Sequence, residues 1–307
     1  MNNKFAIEVK NLSKIFIKDN QKINALKNFS INIPKGCIYG LLGPNGAGKS
    51  TFINILSGIV KKTQGTVNIE GINQDNNAIA TRKKIGIVPQ ELNIDPFFTP
   101  FELLELQAGL YGIRKKNRRT EKILHDLGLS DQRNAYARTL SGGMRRRLLI
   151  AKALVHNPDV IVLDEPTAGV DVELRRNLWK YVGELKRMGK TICLTTHYLE
   201  EAEKMCDLIT IINKGIKIIE DKKDNLLNLF SNRKVKFDII SKNVSMPEKL
   251  KPLIYNYDGE DTLILEYNKK EISLSEIIKE LDKNKIIFSE IKTYDEDLES
   301  IFLKITK

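Results

Sequence analysis

The sequence predicts an α/β chain: a parallel sheet with helices on both faces, followed by a small α+β domain. Three observations predict it. Short apolar runs bounded by polar residues (CIYGLL, KIGIVPQ, DVIVLDEP and TICLTTH) alternate with segments of helical spacing over the first 220 residues, the pattern of strands buried on both faces. Residues 100–156 break that alternation, with helical patterns and no convincing strand, so a helical insertion is expected over about 95–156. The charge changes sign near residue 225: 36 basic and 24 acidic residues precede Leu226, whereas 14 basic and 15 acidic residues run from there to Lys307. Two domains are therefore expected, 1–225 and 226–307, joined through NLLNLFSNRK.

Taken in order, CIYGLL is an apolar run that ends in a glycine-rich loop, and STFINILSGIV follows with its apolar residues at helical spacing. KIGIVPQ and DVIVLDEP are further strands, and ELRRNLWKYVGELKRMG reads as an amphipathic helix leading to the strand TICLTTH. DLITIINKGIKIIED reads as a β-hairpin, with Asn213, Lys214 and Gly215 supplying the turn. In the last 80 residues VKFDII, LILEYN and IIFSEIK are expected as strands around a helix, SLSEIIKELDKN. No internal repeat or low-complexity segment interrupts the chain.

Of the 307 residues 41% are apolar and 29% charged, a soluble globular composition. Cys37, Cys193 and Cys206 are too few and too scattered for a disulfide framework and lack metal-ligand spacing, which points to a reducing compartment. Lys4 and Glu8 interrupt the amino terminus where a signal peptide needs an apolar stretch. No window approaches the roughly 18 apolar residues of a membrane span. Secreted, collagen-like, disulfide-rich and integral membrane classes are excluded, so any work at a membrane needs another chain to span it. The net charge of +11 gathers in Lys61-Lys62, Lys83-Lys84, RKKNRR at 114–119 and Arg145-Arg146-Arg147. Such runs suit nucleic acid, an anionic membrane, or solvated helix faces beside a site for a polyanionic small molecule. One Trp and no aromatic interleaving argue against nucleic acid.

Residues 43–50, GPNGAGKS, match G-x-x-x-x-G-K-[ST] between an apolar strand and a helix. Glycines let successive N–H groups turn inward around phosphates, and the helix adds its positive end. The predicted nucleotide-binding set is Gly43, Pro44, Asn45, Gly46, Ala47, Gly48, Lys49, Ser50 and Thr51, with Lys49 reaching the β- and γ-phosphates and the Ser50 hydroxyl on Mg²⁺. VIVLDE at 160–165 supplies the acidic strand end: Asp164 to hold Mg²⁺, and Glu165 to polarise the attacking water. Between them, LSGGM opens the helix MRRRLLIAKAL, and Ser141, Gly142 and Gly143 offer a second phosphate-binding helix end. One triphosphate cannot readily use both ends of one chain, whereas two chains head to tail could each clamp the nucleotide held by the other.

The order GPNGAGKST, Gln90 in VPQE, LSGGM, VIVLDEPTAGVD and TTH resembles the nucleotide-binding subunits of ABC transporters over roughly residues 5–220. TAGVDVELRRNLW with LTTHYLEEAE looks like the ABC-2-type exporter ATPases, close to the YadG-like group, and the segment beyond 230 is similar to the small carboxy-terminal domain many of them carry. The resemblance implies a P-loop NTPase fold that binds ATP and Mg²⁺. It further implies ATP-driven closure of a homodimer, with hydrolysis powering a separate integral membrane subunit from the cytoplasmic face of the inner membrane, peripherally bound. It places Phe16 on the adenine, with a core-facing strand residue as the alternative. It gives Gln90 to Mg²⁺ and the attacking water, Asp171 to coupling across the dimer, and His197 to the γ-phosphate. His125 and His156 read as structural. Met144 departs from the family's usual Gln at the end of LSGGM. Phe97, Phe98 and Phe101 are expected either beside the groove for the membrane subunit or in the core of the helical insertion. The alternative function is an ATPase of the same type acting on nucleic acid or the ribosome.

Overall fold

The computed structural model describes residues 4–167, 172–196, 198–229, 232–241, 246–257, 261–269, 271–295 and 302. Its elements run β1 (Phe5–Lys18), β2 (Gln21–Pro34), β3 (Ile38–Leu42), α1 (Lys49–Leu56), β4 (Gln64–Ile69), β5 (Ile72–Asn73), α2 (Ala78–Lys84) and β6 (Ile85–Val88). There follow α3 (Pro100–Leu110), α4 (Thr120–Asp126), α5 (Gly142–Leu154), β7 (Val160–Asp164), α6 (Val172–Arg187), β8 (Thr191–Thr195), α7 (Leu199–Met205), β9 (Leu208–Asn213) and β10 (Ile216–Lys222). The last are α8 (Lys223–Leu229), β11 (Asn232–Ile239), β12 (Ile254–Tyr257), β13 (Thr262–Asn268), α9 (Leu274–Lys283) and β14 (Phe288–Asp295). The chain divides into two compact units between Lys222 and Lys223.

In the first unit the apolar runs form one six-stranded sheet, ordered β10-β9-β3-β8-β7-β6. Every pairing in it is parallel except β9 with β10. β3, β7 and β8 are buried at every position, because helices cover both faces of a parallel sheet. The β9–β10 hairpin turns through Lys214 (φ +48°) and Gly215 (φ +77°). Two left-handed residues make the tight turn whose twist matches antiparallel strands.

A second sheet of the first unit, antiparallel and ordered β2-β1-β4-β5, was not expected from the sequence. Register shifts between Phe5 and Ile7 and from Val9 to Ile15 interrupt the alternation that would have marked β1. This sheet shares one core with the parallel sheet through α1: Leu26, Phe29, Ile31 and Ile33 pack with Phe52, Ile55, Leu56, Val160 and Val162. The Phe29 and Phe52 rings meet edge to face, 5.3 Å between centroids. Each such side chain removed from water contributes about 1.5–3 kcal/mol, and together they fix α1 at the end of β3.

Between β6 and β7 the described residues form α3, α4 and α5 and no strand. Thr99 and Glu102 close a capping box on α3, and Pro100 opens its first turn. Of the two alternatives for the aromatics here, the core fails for Phe97, while Phe98 and Phe101 are half-buried. Phe97 is 69% exposed and lies under the Arg138 guanidinium, 5.9 Å away, while Phe101 carries Arg133 at 4.5 Å. Both of these rings carry a cation.

The second unit is a four-stranded antiparallel sheet, β12-β13-β11-β14, with its own core. Val235, Phe237 and Ile239 alternate along β11, Leu263, Leu265 and Tyr267 along β13, and Ile277 and Leu281 of α9 cover them. The expected strands and helix are all present. The added strand, β12, is a four-residue edge with no fully buried position, too short and too wet to stand out in the sequence.

Candidate functional site

The glycine-rich loop leaves β3 at its buried end and enters α1 through Gly48, whose φ of +110° only glycine adopts readily. A Cβ at Gly48 would stand 2.6 Å from the Ala25 carbonyl, and one at Gly43 would stand 2.3 Å from the Ile212 carbonyl. The loop is therefore pressed against β2 and β9 with no room for side chains, and its other face is open: Asn45, Gly46 and Ser50 are exposed. Gly48 offers no side-chain cap and the first turn of α1 holds no acid, so the N–H groups at that end remain available. Lys49 is buried, and its ammonium donates to the Gly43 carbonyl at 2.6 Å and the Pro44 carbonyl at 3.2 Å. Burial lowers its pKa, and the nearby Glu165 and Asp164 charges oppose that. A buried ammonium bonded to carbonyls of its own loop suits a phosphate that takes their place.

Asp164 ends β7, where Thr195 of the neighbouring β8 donates its hydroxyl to the carboxylate at 2.5 Å. Burial raises the Asp164 pKa, and the Thr195 bond resists the rise. Glu165 follows in the left-handed region, φ +46°, a conformation a residue with a side chain adopts under constraint. The constraints are visible. Its N–H donates to the Thr195 carbonyl at 3.0 Å, its own carbonyl accepts from Arg146 at 3.2 Å, and its carboxylate accepts from the Gln90 amide at 3.0 Å. Gln90 itself is exposed, just past β6.

The structure thus brings Lys49, Asp164, Glu165 and Gln90 to the carboxyl ends of β3, β7 and β6, around β8. Ser141, Gly142 and Gly143 are not part of this cluster. Ser141 is exposed, and its hydroxyl accepts from the Met144 N–H at 3.2 Å as the cap of α5. Met144 takes part through its backbone alone in that bond, so the departure from Gln leaves the cap intact. Phe16 lies on the β1–β2 hairpin, 38% exposed with the Lys14 ammonium 4.6 Å above its ring, which excludes the core-facing alternative. His156 stacks on Tyr111 at 3.8 Å, and His125 is exposed. Asp171 and His197 lie outside the described residues.

Two groups were missed from the sequence. Arg146 sits in a basic run that reads as a solvated face, yet it is 4% exposed and bonds to Pro89 and Glu165. Glu201 is buried on α7, where it accepts from Thr167 at 2.8 Å and Thr196 at 3.1 Å and lies 3.4 Å from Arg175. No signal short of the fold marks either one.

Among the described residues no group of three or more His, Cys, Asp and Glu stands ready for a metal. A hydroxyl (Ser50), one carboxylate (Asp164) and an amide (Gln90) are the groups that could supply oxygens to a Mg²⁺ arriving with phosphate oxygens and water. Among the described residues no helix is long and apolar enough to cross a membrane.

Comparison with known proteins agrees with this geometry. The family described as ABC transporter matches residues 26–168. A Nod factor export ATP-binding protein I of Cupriavidus pinatubonensis is 38% identical over 205 residues, 66% of this chain and 63% of that protein; the match spans under two thirds of that relative's length. A linearmycin resistance ATP-binding protein of Bacillus subtilis is 36% identical over 222 residues, 72% of this chain and 70% of its own. Among solved structures, a dimeric post-hydrolysis ATP-binding cassette bound to ADP and Pi superposes with a TM-score of 0.64 at 30% identity, covering 71% of this chain and 98% of that one.

Proposed function

The chain belongs to the ATP-binding subunits of ABC transporters, and from that premise we propose that it hydrolyses ATP as a head-to-tail homodimer to power a separate integral membrane subunit, as an exporter ATPase. The observation that carries the reading is the convergence of Lys49, Asp164 and Glu165, all buried, at the ends of parallel strands beside an open glycine loop. Residues 43–51 cradle the phosphates of ATP through backbone N–H groups, and Lys49 exchanges its loop carbonyls for phosphate oxygens. Ser50, Asp164 and Gln90 would hold Mg²⁺, which would supply positive charge against that of the phosphates. Glu165 orients the attacking water and accepts its proton as the water oxygen bonds to the γ-phosphorus and the γ-phosphorus bond to the β-phosphate oxygen breaks, leaving with ADP, with Gln90 holding the carboxylate in place. Phe16 stacks on the adenine, and His197 contacts the γ-phosphate.

Ser141, Gly142 and Gly143 serve the nucleotide of a second copy. The exposure of Ser141 and Gly142 supports that assignment, as does the dimeric state of the similar cassette. Asp171 couples the two sites. The membrane subunit docks at a cavity of about 380 Å³ lined by Ile59, Arg82, Asn93, Gln107, Tyr111 and His156, next to the loop that carries Gln90. That position lets a nucleotide-dependent change at Gln90 reach the partner. The export direction rests on the names of the two relatives, and the place of work is then the cytoplasmic face of the inner membrane, peripherally.

Replacing Glu165 by Gln tests the motor. Binding of ATP with Mg²⁺ is expected to persist, hydrolysis to fall at least about 100-fold, and a dimer to appear in size-exclusion chromatography with ATP. Hydrolysis at the parent rate removes Glu165 as the base. A pull-down from detergent-solubilised membranes tests the output: a polytopic partner is expected. Recovery of ribosomal proteins alone, together with salt-sensitive RNA binding, would leave the motor and move its output to nucleic acid.

A further inference from the structure

Five charged residues are buried among those described, and four of them share one cluster: Lys49, Arg146, Asp164 and Glu165. The charges balance, and three of the four belong to the nucleotide site. The fourth, Arg146, comes from α5, the helix whose exposed amino terminus carries Ser141. Its guanidinium donates through one terminal nitrogen to the Pro89 carbonyl at 2.8 Å and through the other to the Glu165 carbonyl at 3.2 Å. Pro89 immediately precedes Gln90, and the Gln90 amide reaches the Glu165 carboxylate at 3.0 Å. A closed ring results, in which one guanidinium fixes both backbones and the two side chains meet across it.

From this geometry, and resting on Glu165 as the base, we infer that Arg146 is a positioning residue for hydrolysis: a two-pronged clamp that holds the Gln90 loop and the left-handed Glu165 in mutual register. Glu165 adopts φ +46°, a conformation that costs about 1–3 kcal/mol and persists only where its surroundings over-determine it. Thr195 holds its N–H side and Arg146 holds its carbonyl. Without the second hold the peptide turns toward an ordinary conformation and carries the carboxylate away from the water it must orient. The planar fork of a guanidinium makes both bonds in one fixed geometry, which the point charge of a shorter ammonium side chain does not reproduce. Because the clamp stands on α5, it also joins the end that faces a partner's nucleotide to the base of the chain's own site.

The test compares Arg146→Met, Arg146→Lys, Gln90→Ala and Glu165→Gln in the full-length chain. It measures equilibrium binding of AMP-PNP with Mg²⁺, and kcat and KM for ATP. Arg146→Met is expected to bind AMP-PNP within about threefold of the parent while kcat falls about 30- to 100-fold, the scale of an ångström of misplacement. Arg146→Lys keeps the charge and loses one prong, so kcat falls about 10-fold with KM unchanged. Combined with Gln90→Ala, Arg146→Lys should add little to the larger single loss, because both act through one contact. Parent-like kcat in Arg146→Lys, or fully additive losses in the double variant, would overturn the clamp and leave Arg146 a core charge. If Arg146→Met does not fold, the lysine variant alone decides. If Glu165→Gln hydrolyses normally, the base assignment fails whatever Arg146 does; if it stops hydrolysis while the Arg146 variants match the parent, only the clamp fails.

Discussion

Helices α1 and α9 begin in opposite ways. At α9 the Ser273 hydroxyl accepts from the Glu276 N–H at 3.3 Å, and the Glu276 carboxylate accepts from the Ser273 N–H at 2.8 Å, so the end closes on itself. At α1 the capping position is Gly48, no side chain accepts, Lys49 follows where α9 has Leu274, and Thr51 stands where α9 has its acid. A cation at the positive pole of a helix is locally unfavourable, and it makes sense only where an anion comes to offset both. α5 lies between the two: Ser141 caps it, but no acid follows in its first turn. A helix end that satisfies itself is architecture, whereas one left open at the end of a buried parallel strand is a binding element.

The sharpest way to break this comparison is Gly48→Ala. The new Cβ would meet the Ala25 carbonyl at 2.6 Å in a backbone at φ +110°, a strain of about 1–3 kcal/mol. Tm should fall about 2–4 °C for each kcal/mol in a unit of this size, and calorimetric ATP binding should be lost with it. Unchanged ATP affinity would mean that the open end of α1 is not where phosphates sit. Ser141→Ala comes next. Loss of the cap should cost about 1 kcal/mol, read as a small drop in Tm. Hydrolysis should fall about 10-fold or more while AMP-PNP binding to the monomer is unchanged, since the hydroxyl serves the partner's nucleotide. If only Tm moves, the amino end of α5 is of the α9 kind.

What was legible in the sequence follows the same division. Residues 43–50 could be found because phosphate binding dictates glycines at set spacing, and β3, β7 and β8 because burial on both faces leaves unbroken apolar runs. β1 hid behind its register shifts, which scramble the two-residue period. Arg146 hid for a geometric reason: consecutive helical residues point about 100° apart, so Arg145-Arg146-Arg147 cannot all share one face, and composition cannot say which turns inward. Glu201 gathers Thr167, Thr196 and Arg175 from three separate elements, a convergence that only the fold creates. Asp171 and His197 were named from motif order alone and lie outside the described residues.

At the closed end the expected effects are smaller and confined to the second unit. Ser273→Ala should destabilise the second unit by about 1 kcal/mol, read as a lower unfolding midpoint, and leave ATP hydrolysis at the parent rate. A loss of hydrolysis there would mean that α9 belongs to the motor and that the contrast with α1 is false.

The smallest effect is one of pH. The Ser273 backbone N–H, followed by its hydroxyl, holds the Glu276 carboxyl below its usual value of 4.5. A carboxyl lowered on folding stabilises the native state at pH values above its unfolded pKa, and that contribution disappears as pH falls through the folded one. The difference in unfolding midpoint between parent and Glu276→Ala should therefore be constant from neutral pH down to about 5 and shrink below 4.5. Glu102 at the start of α3 is held low by Thr99 in the same way, so Glu102→Ala should show the same narrowing. α1 has no acid in its own first turn, so no capping contribution of this kind is there to be lost. A gap that stays constant to pH 3 would show that the box at α9 works without its charge, and would reduce the difference between the two helix ends to the presence or absence of a serine.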